Sequence, residues 1–153
     1  MKRHLRLLTL IFGATVGLVA QSPTSFVDGT WKLNAAKSDG GPRALPGGLS
    51  VKITSNGPEF EGLQTADGVE TLLKFRSDGR EMVNQLPGGA EMKSKHRVEN
   101  GVLLADYHIT FDQGEIKQTD RIVASPDGKI LTTDREVKSA QGSYKQKLVF
   151  DRQ

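Results

Sequence analysis

Apolar and polar residues alternate regularly on either side of Asn100-Gly101, and the alternation sets a register. With Glu99 opposite Val102, one face of the flanking segments carries Val98/Leu103, His96/Ala105, Ser94/Tyr107, Met92/Ile109 and Ala90/Phe111. The other carries Arg97/Leu104, Lys95/Asp106 and Lys93/His108. Successive side chains of a strand point to opposite sides, so one apolar and one charged face at period two predicts a half-buried antiparallel hairpin. Asn-Gly supplies its turn, because both residues tolerate the positive φ of a two-residue loop.

The rhythm runs from residue 55 to the end. SNG, ADG, SDG, PGG, ENG, DQG, SPDG and AQG close on Gly57, Gly68, Gly79, Gly89, Gly101, Gly114, Gly128 and Gly142. Eight such turns join nine strands, and GTWKLN at 29–34 adds a tenth. No helical period of adequate length interrupts them. Around SPDG, pairing Ala124 with Lys129 puts Ile122/Leu131 and Ile116/Val137 on one face, Lys117/Glu136 and Glu115/Lys138 on the other. Carried through every turn, the inward set includes Leu49, Val51, Ile53, Phe60, Leu73, Phe75, Met82 and Leu86, then Tyr144, Leu148 and Phe150 if Gly142 forms a bulge. An open meander of this length would leave two unpaired edges. Closing the last strand on the first predicts an all-β fold, a single antiparallel up-and-down β-barrel of eight to ten strands.

The first twenty residues change the charge reading. MKRHLR is a basic head, LLTLIFGATVGLVA an apolar run shorter than a membrane span, and Ala20 a small residue before polar QSPTS. That layout predicts a signal peptide over 1–20, an exported protein, and one barrel domain over 21–153; a retained anchor is the alternative. Of the 21 Lys and Arg, the leader holds Lys2, Arg3 and Arg6, which leaves 18 against 18 Asp and Glu. A formally neutral mature chain gives no support for nucleic-acid binding, which needs a basic face to neutralise phosphates. With no cysteine in the sequence there is no disulfide, no thiolate metal site and no lipid-anchored thiol.

Gly29-Thr30-Trp31 spells GxW, which resembles the first signature of the lipocalins and the related fatty-acid-binding proteins. The resemblance implies that Trp31 plugs the closed end of the barrel and that an Arg near its end packs across the ring, Arg152 being the best placed and Arg121 the second. GTWKLNAAKS at the start, SPDGKILT in the penultimate hairpin and LVFDRQ at the end are together similar to a group of small exported bacterial proteins described only as lipocalin-like. The chain departs from fatty-acid-binding proteins twice. Residues 35–48, AAKSDGGPRALPGG, are too rich in Gly and Pro for that family's helical lid, and Tyr144-Lys145-Gln146 lacks its carboxylate-gripping Arg-x-Tyr. The family's ligand class therefore does not transfer.

Candidate chemistry lies among the inward polar residues. Ser94, His96, Tyr107, Gln118, Asp120, Thr133, Arg135 and Gln146 fall on five successive strands, with Tyr107 beside Asp120, Asp120 beside Thr133, Gln118 beside Arg135 and Arg135 facing Gln146. Buried polar groups must find partners. Either the band satisfies itself, with Asp120 neutralising Arg135 diagonally, or Arg135, His96 and Tyr107 anchor the polar head of a small hydrophobic or amphipathic ligand. Catalysis has thin support. His96 and His108 fall on opposite faces, no metal-ligand spacing or nucleophile elbow occurs, and no cofactor is implied. The expected function is non-catalytic ligand binding by a monomer. The alternatives are a protein-interaction module using loops or an edge, and an enzyme with His96 and Asp120 as base and acid. The 35–48 loop is either a lid or a passive connection.

Overall fold

Period-two patterning becomes ten strands in the computed structural model, which describes residues 20–153. The proposed leader lies outside the described residues, apart from Ala20. The strands are β1 (Gly29–Leu33), β2 (Ser50–Asn56), β3 (Glu59–Ala66), β4 (Val69–Arg76), β5 (Met82–Gln85), β6 (Glu91–Glu99), β7 (Val102–Phe111), β8 (Gly114–Ala124), β9 (Ile130–Ser139) and β10 (Gly142–Arg152). Among the described residues the helical pieces are two three-residue 3-10 turns, Ser25–Val27 and Ala35–Lys37. All eight turn glycines hold positive φ, the conformation for which a missing Cβ removes the steric penalty.

Every neighbouring pair is antiparallel, in the order β4-β3-β2-β1-β10-β9-β8-β7-β6-β5. The last strand does meet the first, with Trp31 opposite Arg152 and Leu33 opposite Phe150. The break in the ladder falls instead between β4 and β5, where a five-residue connection follows β4 and β5 itself has four residues. One side chain spans that break. The Asn84 carboxamide accepts from the Lys74 N–H and donates to the Lys74 carbonyl, both at 2.8 Å, as a strand neighbour would. Asn84 shares the inward parity of Met82 and Leu86 and is the buried residue of β5, a role the sequence reading missed.

The β6–β7 register is the expected one, with Val98 opposite Leu103, His96 opposite Ala105 and Ser94 opposite Tyr107. The β7–β8 and β8–β9 registers are each displaced by two residues. Tyr107 pairs with Gln118 and not Asp120, while Asp120 pairs with Arg135 and not Thr133. At SPDG the cause is a longer loop. Ser125 N–H donates to the Ile130 carbonyl and the Ser125 hydroxyl accepts from Ile130 N–H, which moves the first pair outward from Ala124/Lys129. A two-residue displacement keeps every side chain on its face. The bulge expected at Gly142 is absent, since β9–β10 pairs continuously from Gly142/Ser139 to Asp151/Ile130.

Trp31 closes one end. It is 0 % exposed, and its indole N–H donates to the Val27 carbonyl at 2.8 Å. The Arg152 guanidinium lies over the ring at 4.3 Å and donates to the Asp28 and Gly128 carbonyls. Gly29 completes the arrangement: at φ +130° a Cβ there would collide with the Arg152 guanidinium. GxW thus has a local physical reason, because the glycine clears the space in which arginine reaches the tryptophan. Arg121 is exposed and makes no contact of this kind.

Candidate functional site

Above the plug the barrel encloses a cavity of about 360 Å³. Its wall is mostly apolar, running from Val27 near the plug, past Phe60, Phe75 and Leu103, to Leu86 and Pro46 at the far end. His96, Tyr107, Gln118, Asp120, Thr133 and Arg135 face it from β6 to β9. Two members of the sequence-derived set stand apart, because Ser94 and Gln146 do not line the cavity. Gln146 instead donates to the Gly40 carbonyl at 3.0 Å.

The register displacement gives Asp120 its partner. Arg135 lies directly across, not diagonally, and its Nε and Nη2 each reach one carboxylate oxygen at 2.8 Å. Gln118 Nε2 touches both oxygens at 3.2 Å. The Asp120 side chain is 2 % exposed, so the bidentate pairing is what makes its burial tolerable. Burial opposes the charge on Arg135, but the hydrogen bonds to Asp120 and its field outweigh it and raise the guanidinium pKa.

His96 lies beside this pair in an aromatic nest. The Phe75 and Phe60 rings are 4.6 and 5.2 Å from it, and the Tyr107 hydroxyl is 3.1 Å from Nε2. Burial pushes the imidazole pKa down to about 4, so the ring is neutral at neutral pH. The same cause, aided by the Asp120 charge, raises the Tyr107 pKa. Two buried polar atoms have no partner among the described residues, Ser94 Oγ and His96 Nδ1. His108 lies on the outer face, hydrogen-bonded to Glu115 at 2.6 Å, so the two histidines do not converge. Among the described residues no cluster of metal ligands occurs.

The loop after β1 covers the open end. Its first part adds to β10, with Asp39 bridging to Lys147 and Ser38 Oγ accepting from Val149 N–H. Leu45 then packs on the core and Pro46 enters the cavity wall. Gly47 is tied to the β3–β4 turn by its N–H to Asp67 Oδ1 at 2.8 Å and its carbonyl from Asp67 N–H at 2.9 Å. The segment is anchored to β10 on one flank of β1 and β2 and to the β3–β4 turn on the other. A larger concavity, about 620 Å³, lies on the outer face among Arg97, Asp106, Arg121, Asp134, Glu136 and Lys147. Charges of both signs face water there. The lumen, with its mostly apolar wall, is the place where an apolar molecule would leave water.

No protein-family model matches the chain, and no curated protein matches it. Solved structures do. Zebrafish ileal bile acid-binding protein complexed with cholic acid aligns with a TM-score of 0.62 at 20% identity, covering 84% of this chain and 100% of that one. Lipid binding protein 8 of Caenorhabditis elegans aligns at 0.63 and 15%, covering 88% and 100%. A secretory abundant heat soluble protein from Ramazzottius varieornatus aligns at 0.63 and 16%, covering 84% and 96%. At these identities the likeness establishes architecture: the chain folds as an antiparallel β-barrel of the kind found in fatty-acid-binding and lipocalin-like proteins.

Proposed function

We propose that this protein is an exported, monomeric carrier that holds one small hydrophobic or amphipathic molecule in its lumen and performs no chemistry on it. The supporting observation is the cavity itself: about 360 Å³, apolar over most of its wall and polar on one side. That falls within the range of roughly 300–1,000 Å³ usual for small-molecule sites. At about 30 Å³ per water-sized group it takes about a dozen heavy atoms. The loop pinned at the mouth, with Pro46 in the cavity wall, supports the same reading, as do the lipid and bile acid named for the architectural neighbours. Export rests on the basic-apolar-small layout of residues 1–20. Native mass spectrometry of protein purified from its own host is expected to reveal a retained small amphiphile, on the order of a dozen heavy atoms. A uniformly bare protein that also takes up no added amphiphile would overturn the proposal.

Partner binding at an edge is the second reading. Leu72 on β4 and Val83 on β5 are half exposed, and these two strands border the break in the ladder. Capture of a specific exported protein that is lost in Leu72→Ser/Val83→Ser, with the lumen still loading ligand, would favour it.

A further inference from the structure

We infer that the lumen selects an amphiphile with an uncharged hydroxyl or carbonyl head and discriminates against carboxylates. The inference rests on the lumen-binding reading above and narrows it to a ligand class.

Asp120 and Arg135 are the formally charged residues lining the cavity, and they cancel. Both Asp120 oxygens and two of the three Arg135 nitrogens are committed to each other. An arriving carboxylate meets no unpaired cation, and it must approach a buried carboxylate of like charge. It would also surrender its hydration shell, and a low-dielectric lumen does not refund that without a counter-charge. An ammonium head faces the converse difficulty, because Asp120 already has its partner.

The lumen instead offers neutral hydrogen-bonding groups. His96 lines the cavity, but its unpartnered Nδ1 is buried away from the lumen and offers a ligand no reachable atom. A hydroxyl head both donates and accepts, so it matches the uncharged hydroxyls of the wall whichever way each is turned. Tyr107, Thr133 and the remaining Arg135 N–H donors lie along the same wall and suit an uncharged oxygen equally well. Burial keeps His96 itself from supplying a cation at neutral pH.

The test is calorimetric titration of the full mature chain at pH 7.5 with 1-decanol, decanoate and decylammonium, three probes of one chain length and different head charge. The expected order is decanol tightest, at least tenfold ahead of both ions. Asp120→Asn, which releases the Arg135 charge, is expected to improve decanoate binding at least tenfold. Asp120→Asn/Arg135→Gln, neutral again, is expected to keep the preference for decanol. Decanoate or decylammonium matching decanol on the unaltered protein overturns the head-group inference and leaves the lumen reading standing. A lumen that binds none of the three overturns both. If Asp120→Asn does not fold, as judged by Trp31 emission, the three-probe order on the unaltered protein still decides.

Discussion

Lowering the pH probes the buried histidine directly. Unfolded, an imidazole titrates near 6.5; in the barrel, burial against Phe60, Phe75 and Tyr107 pushes His96 down to about 4. Between these values the unfolded chain binds a proton that the native chain refuses. The contribution is therefore fully present above pH 6.5, is lost as pH falls through the window, and stops changing below about pH 4. At about 1.4 kcal/mol per pH unit, the window costs about 3 kcal/mol of stability. With a urea slope of about 1–3 kcal/mol/M, that moves the unfolding midpoint by about 1–3 M. Trp31 is the sole tryptophan and is fully buried, so its emission reports the transition. His96→Gln removes the titration and leaves other acid-sensitive groups in place, such as Asp78, held near about 2 by Arg76, and Glu115, held low by His108. The difference between the two proteins isolates His96. Parallel loss of stability from pH 7 to pH 4 would refute the account.

Four substitutions test the other contacts. Arg135→Ala strands the buried Asp120 carboxylate and is expected to cost about 3–5 kcal/mol in urea unfolding, most of it recovered in Asp120→Asn/Arg135→Gln; an unaltered midpoint would show that the pair is not buried. Gly29→Ala forces a side chain onto Arg152 at a left-handed φ and is expected to cost about 1–3 kcal/mol by thermal unfolding. Arg152→Ala should cost about 0.5–2 kcal/mol and relieve part of the Gly29→Ala penalty, so strict additivity would disprove the collision. Asn84→Leu breaks both bonds to Lys74, about 2 kcal/mol together, and should speed hydrogen exchange at the Lys74 amide while leaving strand centres such as Ala105 protected.

Alternation at period two was sufficient to place the strands and most of the inward side chains, because facing depends on parity alone; it misjudged the Gly142 turn and Phe111, which is exposed although on the inward parity. His96, Tyr107, Asp120 and Arg135 were legible as lumen residues for that reason, and Trp31 with Arg152 through the GxW resemblance. Parity cannot distinguish a register from one displaced by two residues. Which residue faces Asp120 was therefore decided by the Ser125–Ile130 loop, whose side-chain bond to the backbone has no signature in the alternation. The same limit hid Asn84, a polar residue at an inward position whose purpose becomes visible only when β4 and β5 lie side by side without a ladder. The charge balance of the lumen, and with it the kind of head group it admits, follows from that one cross-strand pairing, and tertiary structure alone sets it.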